Sequence, residues 1–394
     1  MQSSHTSVLP AGNTAADGAL PALEVRLLAR RAALPAALAL VAAVAIVVGG
    51  GPVQAFADAL GRVLDADPRW IGAAAAFELF SFAGYVALLW LVGRRTSRRL
   101  GLRASAEISF GGAAATRLLP TGGVGGAALT IWAFRRAGLG VRAATRTLLA
   151  FLVVLYSVFL AAIAVAGGML AVGLAPGGGP LVLTAAPAIA AMAIIAGALA
   201  LAVLRPAGDG LAAGAASGAS RLARGRAALQ TVPATVSEAV RDAITLVRSG
   251  DVRLLGAIAW WAFDAAVLWA MLQALGGPPP LAVIVLAYFV GQVANTLPVP
   301  GAVSGGMVGV LLAFGVEADL ALASVLAYRS VAIWLPAPLG LVALAGLRRT
   351  FARWAEEDTA AVPVPAAPPV RTRPLEPLHG RVWPRQQPIV QVPA

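Results

Sequence analysis

The sequence predicts an all-α, polytopic membrane protein, and three observations support this fold class. Of 394 residues, 59% are hydrophobic and 12% are charged, whereas about a quarter of the residues in a soluble domain are charged. The mean hydropathy is +0.82, and several uninterrupted apolar runs are long enough to cross a bilayer. The sequence has no lysine, so its 30 permanently basic side chains are all arginines, and most of them flank the apolar runs. The net charge of +12 therefore reflects membrane topology rather than nucleic-acid binding.

We predict about six full transmembrane helices from the apolar runs, which cover residues 32–51, 70–93, 147–172, 181–204, 253–275 and 320–347. The first run follows three arginines and so resembles a signal peptide. Its length and the lack of a convincing cleavage site favour an uncleaved helix instead. Residues 105–134 and 281–314 are also apolar but rich in glycine and proline. They predict two broken or re-entrant helical hairpins.

The ends of the chain differ in composition from its middle. Residues 1–24 are small, polar and aperiodic, which predicts a disordered tail. Residues 25–350 form the predicted transmembrane domain, and residues 351–394 are a proline-rich stretch predicted to be a disordered cytoplasmic tail. Inside the domain, residues 205–252 carry arginines with leucines at intervals. They predict a cytoplasmic loop with one or two short amphipathic helices at the membrane surface.

Arginine placement predicts the orientation of the chain. Nearly all arginines lie before the first helix, after the second, around residues 135–146, across 205–253 and after 347. The alternate connections, 173–180 and 276–280, contain none. Because positively charged segments stay on the cytoplasmic side, we expect both termini in the cytoplasm.

Two stretches of the chain have the same pattern of a polar residue, Leu-Pro and a glycine cluster. They are Arg117-Leu-Leu-Pro120-Thr-Gly122-Gly123-Val-Gly125-Gly126 and Asn295-Thr-Leu-Pro298-Val-Pro300-Gly301-Ala-Val-Ser304-Gly305-Gly306. The helix before the first contains Phe77-Glu78, and the helix before the second contains Phe263-Asp264. The predicted hairpins enter from opposite sides, which indicates an inverted repeat with its substrate site at the midplane. The alternative is a chance alignment in a chain rich in alanine and glycine.

A few polar side chains fall at membrane depth, where each costs about 2.5–3.5 kcal/mol to insert. They are Glu78, Arg117, Asp264, Gln292, Asn295 and Arg329. One interpretation is a set of buried salt bridges that only fixes the helix register. The other is that the arginines bind an anionic headgroup or phosphate, since the guanidinium is permanently charged and binds such groups in a bidentate manner.

The glycines of the two breaks have two interpretations as well. They allow close backbone approach and expose amide donors at helix ends, which favours anions. Alternatively they allow tight packing of helices. No catalytic residue, metal or cofactor is expected, because cysteine is absent and the two histidines, His5 and His379, lie in the tails.

The two hairpins resemble a known family, the lysylphosphatidylglycerol synthase transmembrane region, also called flippase-like membrane proteins. The resemblance covers residues of about 30 to 350 and rests on three sets of residues beyond the two stretches above. These are Phe134-Arg135-Arg136-Ala-Gly138, Met307 with Phe314-Gly315, and Ala327-Tyr328-Arg329. It implies an integral protein of the bacterial cytoplasmic membrane that is associated with lipid translocation or lipid modification.

The second hairpin departs from the family pattern. The family form continues Pro-Gly-Gly-x-Gly and soon reaches an acidic residue, whereas Ser304 stands here where the acid is expected. Residues 351–394 do not resemble the aminoacyltransferase domain that follows this region in longer relatives. We therefore do not expect lysine transfer to lipid.

The leading hypothesis is that the protein binds an anionic lipid headgroup and passes the lipid across the membrane. The expected binding residues are Arg117, Asn295, Arg329, Gly122, Gly123, Gly301 and Ser304, with Glu78 and Asp264 balancing charge in the empty state. Two alternatives stay open. One is an intramembrane lipid transferase that uses Glu78 or Asp264 as a base, and the other is a scaffold that binds protein partners through its basic loop or proline-rich tail.

Overall fold

The structure is a computed structural model that describes residues 66–118, 124–204, 221–294 and 301–360, apart from the side chains of residues 117, 118, 124 and 221–234. Throughout these ranges the regular elements are helices, which confirms the all-α prediction. The helices are α1 Pro68–Thr96, α2 Leu102–Leu118, α3 Val124–Arg136, α4 Val141–Ala171, α5 Leu181–Leu204, α6 Arg221–Arg248, α7 Leu255–Leu275, α8 Leu281–Val293, α9 Ala302–Ala313, α10 Ala318–Trp334 and α11 Pro336–Ala360. A 3₁₀ turn, Val252–Leu254, precedes α7.

Five segments of the described chain are long and apolar enough to cross a membrane. They are α1, α4, α5, α7 with its preceding turn, and the α10–α11 pair. The chain is therefore a polytopic membrane protein, as predicted. The sixth expected helix, at residues 32–51, lies outside the described residues, as does the tail at 1–24.

The two predicted hairpins are present as pairs of shorter helices, α2–α3 and α8–α9. The second pair has arms of 13 and 12 residues, or about 20 and 18 Å at 1.5 Å per residue. Both arms are shorter than the hydrocarbon core of about 30 Å. The two turns, 119–123 and 295–300, lie outside the described residues.

Three helix boundaries differ from the predictions. Helix α4 begins at Val141, after the N-cap Gly140, because hydropathy identifies only the apolar part of a helix that starts among exposed arginines. The predicted span 320–347 is interrupted at Leu335, because Pro336 lacks a backbone N–H and its ring clashes with the preceding turn. Residues 221–248 form one helix, as one of the two predicted options had it, but at 28 residues this helix is longer than the short ones expected.

The last helix, α11, continues through residues 351–360, which were expected to belong to the tail. Phe351 and Trp354 are buried on it, at 7% and 6% exposure. They are three residues apart, which places both side chains on one face of the helix. The helix therefore continues past the last apolar run. Residues 361–394 lie outside the described chain.

The first helices of the two repeat units, α1 and α7, cross in an antiparallel arrangement. Their backbones touch at Gly84, where an added Cβ would lie 2.7 Å from the Gly256 carbonyl oxygen. Further along, Phe77 stacks on Phe263 with ring centroids 5.9 Å apart. These two phenylalanines correspond in the predicted repeat, so equivalent residues of the two units meet. The inverted repeat is therefore visible in the packing.

Each hairpin is closed by a glycine of its second arm against a glycine of its first. In α3, a Cβ at Gly126 would lie 2.9 Å from the Gly112 carbonyl oxygen of α2. In α9, a Cβ at Gly306 would lie 3.1 Å from the Gly291 Cα of α8. Gly126 and Gly306 are both the second glycine of their Gly-Gly pairs. The glycines therefore permit close packing, as one of the two interpretations predicted.

Arginine-bearing helix ends come together at one edge of the molecule. The Ser97 hydroxyl, just after α1, donates to the Ala137 carbonyl after α3 at 2.9 Å. Arg146 near the start of α4 donates two bonds, of 2.5 and 2.6 Å, to the Asp242 carboxylate on α6. The basic segments that the sequence assigned to one side of the membrane are thus neighbours in space.

Candidate functional site

The α1–α7 crossing positions two buried acids. Glu78 and Asp264 each follow one of the stacked phenylalanines and are 2% and 8% exposed. The Ser81 hydroxyl, one turn along α1 from Glu78, donates to the Trp260 carbonyl at 2.8 Å. Both acids therefore lie in the protein interior on the helices that join the two repeats.

Asp264 accepts hydrogen bonds from tyrosines on two other helices. The Tyr288 hydroxyl of α8 donates to Asp264 Oδ2 at 2.5 Å, and the Tyr328 hydroxyl of α10 lies 3.3 Å from Oδ1. Gln292, one turn beyond Tyr288, donates from Nε2 to the Tyr328 hydroxyl at 3.3 Å. A carboxylate that accepts such bonds is far less costly to bury than an isolated one.

Arg329 is the next residue along α10 after Tyr328 and is half-buried. Among the described residues it makes no hydrogen bond or ion pair, including with Glu78 or Asp264. The described part of the chain therefore presents a permanent cation in a membrane-spanning segment without a counter-ion of its own at that side chain. Such a group is suited to an anion from outside the protein.

The start of α9 brings Gly301 and Ser304 into the second hairpin. Gly301 precedes the helix in a left-handed conformation, with φ of +80°, which glycine adopts without steric cost. Ser304 is half-buried in the first turn. The first amide groups of a helix have no carbonyl partner within it, so this end of α9 offers hydrogen-bond donors.

Four of the expected binding residues cannot be placed. The side chain of Arg117, at the end of α2, and the residues Gly122, Gly123 and Asn295 all lie outside what the structure describes. Arg329, Gly301 and Ser304 belong to α9 and α10, which pack against each other. The site can therefore be built from the second repeat only.

One buried acid, Glu107, was not among the residues predicted from the sequence. Glu107 of α2 is 9% exposed, and it accepts bonds from the Thr350 hydroxyl of α11 at 2.7 Å and from Arg103 Nε at 3.0 Å. Arg353 in turn donates to the Thr350 hydroxyl at 3.3 Å. The signal was an acid four residues after an arginine at the start of an apolar run, which is the spacing of a helical ion pair.

The hydroxyls of Tyr288 and Tyr328 were also missed as partners of Asp264. Both side chains are fully buried, at 0% and 1% exposure. A buried tyrosine hydroxyl usually finds a hydrogen-bond partner. Two tyrosines in apolar helices of the same repeat as Asp264 were therefore candidate partners of its carboxylate.

These features define a class: a polytopic, α-helical membrane protein with two short helical hairpins in an inverted repeat and buried polar groups at the repeat interface. Residues 35–340 match the model of one family, described as the lysylphosphatidylglycerol synthase TM region. Because the match covers more than half of the chain, the protein belongs to this family. No curated protein matches the chain.

Proposed function

We propose that the protein binds the anionic headgroup of a membrane lipid at Arg329 and carries the lipid across the membrane. The observation that supports this most is the half-buried guanidinium of Arg329, which has no counter-ion among the described residues. Membership of a lipid-related family supports the substrate class. The donors at the start of α9 and the hydroxyl of Ser304, on the helix that packs against α10, would supply hydrogen bonds to the same headgroup.

The remaining expected residues keep the roles given by the sequence. Arg117 is a second cation for the headgroup, Asn295 and the backbone of Gly122 and Gly123 orient it, and Gly301 leaves space for it. Glu78 and Asp264 balance charge when the site is empty. Reciprocal movement of the two repeats would open the site to each leaflet in turn.

We further propose that the protein lies in the cytoplasmic membrane of a bacterium with both termini inside. The support is the edge where the arginine-bearing ends of α1, α3, α4 and α6 meet. Segments with this excess of positive charge remain on the cytoplasmic side. Gel-shift labelling of single cysteines placed at residues 250 and 278, in a chain that has no native cysteine, would test the orientation. Labelling of position 250 from outside intact cells would contradict it.

Lipid movement in proteoliposomes tests the main proposal. The full chain is reconstituted with fluorescent phosphatidylglycerol, and the fraction reduced by external dithionite is followed with time. We expect the wild type to exchange the lipid between leaflets and Arg329→Gln to slow exchange by about tenfold, since a charge-assisted bond is lost. Arg329→Lys should restore part of the rate. Arg248→Gln, an exposed arginine on α6, is the matched control and should be unaffected.

Two further arms separate this function from its alternatives. Excess inorganic phosphate should inhibit exchange of phosphatidylglycerol weakly or not at all if the acyl chains contribute to binding. Inhibition by phosphate as strong as that by unlabelled phosphatidylglycerol would indicate a site for free phosphate. Mass spectrometry of the vesicle lipids should show no new species, since a modified lipid would indicate a transferase. Equal rates in wild type, empty vesicles and Arg329→Gln would refute the transport proposal.

A further inference from the structure

We propose that Asp264 binds one proton together with the anionic headgroup, so that lipid movement is coupled to the proton gradient. This inference rests on the function proposed above and names its energy source. It starts from an independent observation, the junction of three helices at a single carboxylate. Asp264 is carried by α7, Tyr288 by the hairpin arm α8, and Tyr328 by α10.

The junction joins parts of the molecule that must move relative to each other if the site opens. Helix α7 packs on α1 of the other repeat, with the Gly84–Gly256 contact at its crossing. Helix α8 packs on α9, and an added Cβ at Gly291 would meet the Met307 side chain. The Tyr288–Asp264 bond of 2.5 Å therefore connects the inter-repeat helix to the hairpin.

Adding a proton changes what this carboxylate can accept. The ionised group is an acceptor at both oxygens, whereas the protonated group has one O–H donor and less acceptor capacity. The proton comes from water on one side and returns to water on the other, and only an O–H bond forms and breaks. Since Tyr288 and Tyr328 both donate to the carboxylate, protonation reverses or weakens at least one of their bonds. A neutral acceptor also forms a weaker bond than a charged one, so the connection of the hairpin to α7 through Tyr288 is weakened.

Protonation also changes the charge that surrounds Arg329. Among the described residues, the helices that pack against α7 carry titratable or charged groups away from their ends at Glu78 and Tyr85 on α1, Tyr156 on α4, Tyr288 on α8, and Tyr328 and Arg329 on α10. Nearer the helix ends are Arg69, Arg94 and Arg95 on α1, Arg142 and Arg146 on α4, Asp319 on α10, and Arg253 in the turn before α7. Of the groups away from the ends, Arg329 alone is a cation, and it neighbours Tyr328 in sequence. Neutralising Asp264 removes a negative charge from its vicinity, so an anion binds Arg329 more tightly. Linkage requires the reciprocal effect: anion binding must draw in a proton.

Proton uptake on lipid binding tests this coupling directly. Dioctanoyl phosphatidylglycerol is mixed with the full chain in neutral detergent and weak buffer. Bound lipid is measured by calorimetry and proton uptake by an indicator dye. We expect uptake of up to about one proton per bound lipid, and an affinity that changes with pH by about five- to 150-fold, the usual range of such couplings.

Variants assign the proton to Asp264. Asp264→Asn should abolish uptake per bound lipid, and Asp264→Glu, which keeps a carboxyl group, should retain it. Tyr288→Phe should displace the pH dependence of uptake, whereas Tyr156→Phe, a tyrosine of α4 beside Trp261, should leave it unchanged. If Asp264→Asn does not fold, Tyr288→Phe and Tyr156→Phe are compared instead. Equal pH profiles of proton uptake in these two variants would overturn the assignment of the proton to Asp264.

The outcomes also separate the two proposals. Lipid binding by the wild type without proton uptake would overturn the coupling and leave the binding function intact. Unchanged uptake in Asp264→Asn would place the proton elsewhere and overturn the assignment. Absence of lipid binding by the wild type at every pH would instead contradict the proposed function itself.

Discussion

The two repeat units use the same backbone devices. Each begins with an Asp-x-Arg cap: Asp67 Oδ1 accepts from the Arg69 amide at 2.9 Å, and Asp251 Oδ1 accepts from the Arg253 amide at 3.0 Å. Each then places an acid after a phenylalanine and closes its hairpin with glycines. The scaffold is therefore close to symmetric, which suits a membrane protein whose two halves must pack against each other in the same way.

The polar content of the two units is not symmetric. Tyr288 lies three residues before the hairpin glycine of the second unit, and Ser109 takes that position in the first, where its hydroxyl bonds to the Ser105 carbonyl within its own helix. Both units also contain a Leu-Ala-aromatic sequence after the hairpin, Leu149-Ala150-Phe151 in the first and Leu326-Ala327-Tyr328 in the second. Phe151 has no hydroxyl, and the residue after it is Leu152 where the second unit has Arg329. The two units therefore share their backbone packing, whereas the described polar side chains that could bind a ligand belong mainly to the second unit.

The largest effect is expected where the two units touch. Gly256→Ala would place a methyl group against the Gly84 carbonyl oxygen and 3.2 Å from the Leu88 amide. Both neighbours are backbone and cannot move aside without separating α1 from α7. We expect a loss of about 3 kcal/mol or more in stability, at the upper end of overpacking effects, and little folded protein on size-exclusion chromatography. Gly309→Ala, in open space on α9, is the matched control and should behave as wild type.

The two hairpin crossings should differ in their tolerance of a methyl group. Gly126→Ala would meet the Thr116 hydroxyl and the Gly112 backbone, at 2.9 Å from its carbonyl oxygen, whereas Gly306→Ala would lie 3.1 Å from a Cα and 3.4 Å from the Ala294 side chain. We expect Gly126→Ala to destabilise by about 1–3 kcal/mol and Gly306→Ala by less. Thermal unfolding in detergent measures the order, and the reverse order would show that the second crossing is the tighter one.

The polar asymmetry predicts unequal effects of removing corresponding hydroxyls. Tyr288→Phe removes a bond to a buried carboxylate, which is worth about 1.5–3 kcal/mol. Ser109→Ala removes a bond within one helical turn and should cost less than about 1 kcal/mol. Chemical denaturation of both variants tests the difference. Equal losses in the free energy of unfolding would mean that the bond from the Tyr288 hydroxyl to Asp264 stabilises the protein no more than a bond within one helical turn.

The smallest expected effect concerns the two Asp-x-Arg caps. Besides the cap, Asp251 accepts side-chain bonds of 2.9 and 2.6 Å from Arg253. The Arg253 side-chain bonds, and then its amide, lower the pKa of Asp251 from near 3.8 to about 2. Because the folded-state pKa is the lower one, the stabilisation is complete above pH 3.8 and disappears as the pH falls through about 2.

Asp251→Asn should therefore lower the melting temperature slightly at neutral pH. Its difference from wild type should vanish as the pH falls from 3.8 through about 2. Asp67→Asn is the matched variant in the first unit. Within the described residues Asp67 accepts the cap bond from Arg69 but forms no ion pair, so its variant should have the smaller effect at neutral pH. A larger effect for Asp67→Asn would contradict the role given to the Arg253 side chain.

Hydropathy was sufficient to predict the membrane class, the long spans and the two hairpins, because insertion depends on apolar length and on arginine placement. It could not place the start of α4 or the break at Leu335 accurately, since α4 begins among exposed arginines and the break depends on one proline. The hydrogen-bond partners of Asp264 could not be predicted from the sequence for a different reason. Tyr288 and Tyr328 lie 24 and 64 residues from it in the chain, and only the packing of three helices brings them together.

The short arms of the second hairpin have a consequence for how the protein is made. An arm of 13 residues is too short to be recognised as a span during synthesis, and its residues Leu286, Ala287 and Tyr288 are fully buried in the finished protein. Helix α8 packs on α9, its partner in the hairpin, and on α4 and α7. Helices α4 and α7 precede it in the chain and so enter the membrane first. Biogenesis would then follow the order of the chain, with the hairpin inserting late into a receptive bundle of earlier helices rather than directly into lipid.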